Sequence, residues 1–126
     1  MTVSNPSVPA SVLVACLCAE WCDTCREYRS RFDQVQLRVT AQFPQVRFHW
    51  IDVEDEADAL DLPDVENFPT LLLAVGAAPR FFGPVTPQAE TLERLIRMQL
   101  EDAAAPALAD PELVALVARI RAGAKR

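Results

Sequence analysis

The stretch Trp21-Cys22-Asp23-Thr24-Cys25 holds the residues best suited to covalent chemistry. Two thiols stand three positions apart, directly after an apolar run and at the start of a helical pattern. In that setting one thiolate can attack a disulfide while the other lies close enough to finish the exchange. The chain has four cysteines, Cys16, Cys18, Cys22 and Cys25, crowded into ten positions. A disulfide scaffold would spread its cysteines to close long loops, so this clustering argues for local chemistry. Cys16 and Cys18 are two apart on a predicted strand, share a face and cannot easily bond each other. They read as small buried hydrophobes, or, for Cys16, as an auxiliary thiol beneath Cys25. Four sulfurs could also serve a metal, but a strand and a helix start rarely converge them tetrahedrally. The metal expectation is therefore none. His49, the only histidine, lies inside a predicted strand and reads as packing rather than catalysis.

The elements that must hold these thiols follow from periodicity. Ser11 to Ala19 is a continuous apolar run, as in a strand buried on both faces. Cys22 opens a helix whose Tyr28, Phe32, Val35, Leu37 and Val39 roughly keep helical spacing, and Phe43-Pro44 ends it. Residues 46–53 form a second strand, so the pair flanks a helix in a βαβ unit with parallel strands. Glu54 to Glu66 is acidic, with a short weak helix over 57–62, and reads as a solvated surface without the spacing of a calcium loop. Thr70 to Val75 and Arg80 to Val85 are strands joined by Gly76-Ala77-Ala78-Pro79, an antiparallel hairpin. Thr86 is placed to cap the next helix, with Pro87 in its first turn and Leu92, Leu95, Ile96, Gln99 and Leu100 inward. After an alanine-proline linker, Asp110-Pro111-Glu112 starts a last helix with the apolar stripe Leu113, Leu116, Val117, Ile120, stopped by Gly123. That stripe needs cover, either within the chain or from a second subunit. Arg119, Arg121, Lys125 and Arg126 suit a helix C-terminus. The resulting division is 1–10 as a lead-in, 11–102 as one domain and 103–126 as linker and C-terminal helix.

The whole chain limits the function classes. Its 126 residues suit one domain, and 51% hydrophobic with 24% charged residues is ordinary globular composition. A formal net charge of -6 argues against nucleic acid, whose binders need a basic face. No run reaches the ~18 apolar residues of a membrane span. No Lys or Arg precedes Arg26, so a secretory n-region is missing and the expected location is cytoplasmic.

The order strand, CxxC helix, strand, short helix, strand, strand, helix, with Ala19-Glu20-Trp21-Cys22 and Phe68-Pro69-Thr70, resembles the thioredoxin family. The resemblance covers roughly 11–100. It implies a thioredoxin-like α/β fold: a four-stranded mixed sheet flanked by helices, the N-terminal strand–helix unit missing or vestigial, and an extra C-terminal helix. It also implies that Pro69 is cis and faces the cysteines, leaving the Phe68 backbone to bond an extended substrate. Three family features differ here, the first being that missing N-terminal unit. The buried acid falls at Cys16, and the Gly-Pro between the cysteines is replaced by Asp23-Thr24. The family's glycine after the last strand has a match in Gly83.

On this resemblance the catalytic residues are Cys22 and Cys25, and the substrate-binding residues are Trp21, Phe68 and Pro69. Asp23, Thr24 and Cys16 modulate. Cys22, before the first turn, is the exposed nucleophile, favoured as thiolate by the helix N-terminus. Cys25 lies one turn inward and resolves the mixed disulfide, leaving Cys22–Cys25 oxidised. Asp23, beside Cys22, opposes the thiolate and pushes the couple toward a reducing potential; otherwise it is only a stabilising first-turn acid. The expected activity is thiol–disulfide exchange that reduces protein disulfides, without a cofactor. Its expected partners are a disulfide-containing protein and a separate electron-donating reductase, with no nucleic acid or membrane, the chain acting as monomer or weak dimer. Two other classes stay open: a non-catalytic interaction module that uses the groove near Pro69, and a thiol-based metal or cluster carrier.

Overall fold

The computed structural model describes residues 11–102 and 104–123. The lead-in over 1–10, together with Lys125 and Arg126, lies outside the described residues. Along the chain run β1 (Val12–Cys18), α1 (Asp23–Gln42), β2 (Val46–Asp52), α2 (Val53–Leu60), β3 (Thr70–Val75), β4 (Ala78–Pro84), α3 (Ala89–Glu101) and α4 (Pro111–Gly123). The four strands form one sheet in the order β2-β1-β3-β4. β1 pairs parallel with β2 through Val12–Val46 to Cys18–Asp52, and antiparallel with β3 through Val12–Val75 to Leu17–Thr70. β3 and β4 pair antiparallel, with a bulge where Leu73 faces Phe81 and Ala74 faces Pro79.

Alternation along β1 decides what each face buries. Val12, Val14, Cys16 and Cys18 point to one side, where they pack with Leu71, Leu73 and Val75 of β3. α1 covers that side with Cys25, Tyr28, Phe32, Val35 and Val39, and α3 adds Leu92 and Ile96. The α1 spacing of three, four, three and four is one helical stripe. Leu37 falls outside it and is 73% exposed, so it is not part of the helix's core face.

Leu13, Ala15 and Leu17 point to the other side and pack with Leu72 and Ala74. Leu60 of α2 and Leu113, Leu116, Val117 and Ile120 of α4 close that layer. The apolar stripe of α4 is thus covered within the chain. Arg119 donates to the Leu60 carbonyl, and Arg121 Nε donates to the Gly76 carbonyl at 2.9 Å. These two arginines tie the last helix to α2 and to the β3–β4 turn, beyond their suitability for a helix end.

Three local boundaries differ from the sequence reading, each for a visible reason. α2 begins four residues early because the Asp52 carboxylate accepts from the Glu54 and Asp55 amides at 2.9 and 3.2 Å. α3 begins at Ala89 behind Gln88, not behind Thr86, whose hydroxyl instead meets that of Thr91 at 3.1 Å. β4 starts at Ala78 because Gly76, at φ +60°, turns the chain within two residues.

Candidate active site

The strand–helix junction sets the site. β1 ends at Cys18 with that side chain on the α1 face. The chain then turns through Ala19, Glu20 and Trp21, and the Cys22 amide donates to the Ala19 carbonyl at 3.0 Å. Cys22 is the N-cap of α1, in extended conformation (φ -88°, ψ 117°), and its side chain makes no capping bond. The Cys22 thiol is half-buried and unbonded to another cysteine. It sits where the first amides of a 20-residue helix point outward.

Cys25 is the first inward residue of α1, and Cys18 is the last inward residue of β1. They meet across the layer and form a disulfide, Cα to Cα 5.8 Å. The sequence reading joins Cys25 to Cys22; here Cys25 is joined to Cys18, and both are buried. The sequence held only part of the signal for this contact, the inward side of each element and not the meeting of their ends. The strand parity ending at Cys18 and the helix stripe starting at Cys25 converge on the same interface.

Cys16 lies two residues deeper on the same face, with its Sγ 3.7 Å from that of Cys18. Desolvation pushes the Cys16 thiol far up its titration scale, with Arg29 pulling weakly back. It is held as a neutral thiol in the place where the family resemblance puts an acid. The Tyr28 hydroxyl is buried nearby with no hydrogen-bond partner among the described residues. Burial, and then the neighbouring Cys16, raise the Tyr28 phenol well beyond its usual range.

Around Cys22 the polar groups are specific. Asp23 is ion-paired with Arg26, one turn along. A second Arg26 nitrogen donates to the Glu20 carbonyl at 2.8 Å. The carboxylate that stands beside Cys22 therefore has its own counter-ion, which reduces its effect on a thiolate there. Thr24 is exposed.

The Phe68–Pro69 peptide bond is cis. The β1–β3 ladder stops at Leu17–Thr70, so Pro69 lies at the sheet end where β1 delivers Cys18. Trp21 is 62% exposed and meets the Phe68 ring edge-on, with centroids 5.7 Å apart. Its indole nitrogen donates to Glu54 Oε2 at 2.8 Å. Asp52, at the end of β2, and Glu54, in the acidic segment, thus have definite structural tasks, one capping α2 and the other holding Trp21. A groove of about 480 Å³ reaches Cys25 between Arg26, Arg29, Trp50 and Asp52. Trp50 is half-buried at its edge and carries the Arg29 guanidinium 4.8 Å above the ring centroid.

Some expected residues do not join this site. His49 is on the opposite side of the sheet from the thiols, since its strand neighbours Phe48 and Trp50 pack with α1. Gly83 lies inside β4 opposite Leu71 rather than after the strand, and an added methyl there would make ordinary contact with Phe81. Among the described residues, no group of three or more His, Cys, Asp or Glu side chains is arranged to hold a metal ion.

A mixed four-stranded sheet with helices on both faces, a CxxC at a helix start and a cis-prolyl loop at the same sheet end define a thioredoxin-like α/β domain. The family model for thioredoxin matches residues 3–97, and the chain belongs to that family. Among solved structures it is similar to Deadhead, a germline-specific thioredoxin of Drosophila melanogaster, at 16% identity and TM-score 0.59, covering 71% of this chain and 81% of that one. It is also similar to mitochondrial thioredoxin 3 of Saccharomyces cerevisiae in its oxidised form, at 22% identity and TM-score 0.57, covering 71% and 79%. Human ERp44 matches at 23% identity and TM-score 0.59 over 74% of this chain, which spans 26% of the ERp44 chain. At these identities the likeness shows the fold. No curated protein matches the chain significantly.

Proposed function

We propose that this chain is a thiol–disulfide oxidoreductase that reduces protein disulfides, with Cys22 as nucleophile and Cys25 as resolving thiol. The observation that carries this reading is the pairing of a half-exposed Cys22 at the N-cap of α1 with a buried Cys25 one turn inward. A free cysteine titrates at about 8.5, so neutral-pH attack needs help for the thiolate. The unpaired amides at the start of α1 face the place where that negative charge would develop. In the reduced protein the Cys22 thiolate attacks a substrate disulfide, and one substrate sulfur leaves as a thiolate. Cys25 then attacks Cys22 Sγ of the mixed disulfide, and the second substrate sulfur leaves.

Trp21, Phe68 and Pro69 form the substrate-binding surface in this reading. An extended segment lies along the cis-prolyl loop, bonding the Phe68 backbone, while the two rings cover its apolar side chains. Asp23 sets the thiolate balance against Arg26, and Thr24 keeps the inter-cysteine turn open to substrate. The partners are a disulfide-containing protein and a separate reductase that returns two electrons. A reducing compartment such as the cytoplasm suits that direction, because it keeps the dithiol form available. No helix among the described residues is long and apolar enough to cross a membrane.

The test is insulin reduction with dithiothreitol as electron source. Turbidity appearing sooner with the protein than with dithiothreitol alone supports the assignment. An onset identical to the dithiothreitol control removes it.

A further inference from the structure

Cys25 has two thiol-bearing positions within bonding reach. Across the layer stands Cys18, with Cα 5.8 Å away. At the N-cap of its own helix stands Cys22, three residues earlier. The Cys18 separation falls within the roughly 4.4–6.8 Å that a disulfide spans between Cα atoms, and the Cys22 spacing is that of the Cys-x-x-Cys pairs that bridge in redox proteins. The two possible partners differ in surroundings. Cys18 is buried at 1% exposure, between Cys16 and α1, whereas Cys22 is half-exposed at the amide end of the helix.

The geometry points to Cys18 as a third redox-active residue, which takes the disulfide over from Cys22 and stores it as Cys18–Cys25 in the core. The inference rests on the assignment of Cys22 as the attacking thiol. The transfer is an internal exchange with no net oxidation. Cys18, losing its proton, attacks Cys25 Sγ of the Cys22–Cys25 disulfide. The Cys18–Cys25 bond forms, the Cys22–Cys25 bond breaks, and Cys22 leaves as a thiolate that takes up the proton. Environment favours this direction. A disulfide is uncharged and needs no hydrogen bonds, so it suits the core, while a departing thiolate is stabilised where Cys22 sits. The two electrons gained by the substrate come from Cys18 and Cys25 in the overall balance.

The consequence is an oxidised protein that still presents a nucleophile. Cys22 remains a free thiol at the surface, able to form a mixed disulfide with a partner or to reopen Cys18–Cys25 by the reverse attack. Cys16, 3.7 Å from the Cys18 sulfur, is a neutral neighbour rather than a bonding partner.

Peptide mapping of the full chain tests this directly. The reduced protein is oxidised with one equivalent of diamide, and remaining thiols are blocked with N-ethylmaleimide in denaturant. Cleavage after Glu20 and Arg26 then separates Cys16 and Cys18 from Cys22 and Cys25. The expected product is a disulfide linking the peptide that ends at Glu20 to Trp21–Arg26, with the label on Cys16 and Cys22. Native titration of the oxidised protein then finds about one accessible thiol per chain, and C18A lowers this to about none as the bond returns to Cys22–Cys25. An unlinked Trp21–Arg26 peptide holding its own disulfide, with Cys16 and Cys18 both labelled, overturns the relay. In that outcome insulin reduction persists, so the relay fails while the oxidoreductase reading stands. The wild-type map decides between the two pairings whether or not C18A folds.

Discussion

A sulfur's position on the strand–helix junction decides its task. Cys22 caps α1 and is half-exposed, while Cys25 is the first inward residue of the same helix. We expect Cys22→Ser to bring insulin reduction down to the dithiothreitol background. In the proposed exchange Cys25→Ser lacks the resolving thiol and will accumulate a mixed disulfide with substrate, visible as a mass increase that dithiothreitol removes. Asp23 and Arg26 are ion-paired beside Cys22. Asp23→Asn should speed iodoacetamide alkylation of Cys22 in the reduced protein near neutral pH by about two- to fivefold, and Arg26→Ala should slow it by a similar factor. Equal rates in all three proteins would mean that neither charge reaches the thiol. The placement of Cys22 at a helix start, of Cys25 one turn inward and of a cis Pro69 was legible from spacing and resemblance. The Cys18–Cys25 bond was not, because alternation within a strand does not say what its last inward residue meets.

Each element is fixed by one apolar stripe and a few polar ties. The stripes of α1 and α4 and the alternation of the strands were readable, since period and burial agree there. The starts of α2 and α3 were not, because they depend on which side chain reaches an orphan amide. Asp52 does so for α2, and Thr86 does not for α3. Leu37 shows the same limit, since an apolar residue on α1 need not share the buried stripe. α4 was legible as a helix that needed cover, but its place on the Leu13, Ala15 and Leu17 face is a tertiary fact. Leu116 is fully buried in that layer. Leu116→Ala will lower unfolding free energy by about 2–5 kcal/mol in urea titration. A change under about 0.5 kcal/mol would show that α4 adds nothing to the core.

At the scale of the whole molecule, His49 and Glu93 tie stability to pH on the acid side. Burial first, and then Arg121 and Arg47, lower the His49 titration from its ordinary 6.5. The unfolded chain therefore binds a proton that the folded chain refuses, and stability falls as pH drops below about 6.5. Glu93 of α3 is tied to α1 through Arg38 and pairs with Arg97 on its own helix, and its hydrogen bond from Arg38 leads in lowering it from 4.5. Its contribution is present above about 4.5 and is lost as pH falls through the folded value. A Tm series should thus decline first between about pH 6.5 and 5, and His49→Gln should flatten that first decline while leaving the later one. The proposed function requires that the cysteines form a reversible two-electron couple poised to reduce. Equilibration of the full chain with glutathione buffers, read by thiol labelling, measures that poise. The expected result is a single two-electron transition below about -230 mV, on the reductant side of the scale. A potential above about -180 mV, or no reversible transition at all, would contradict it.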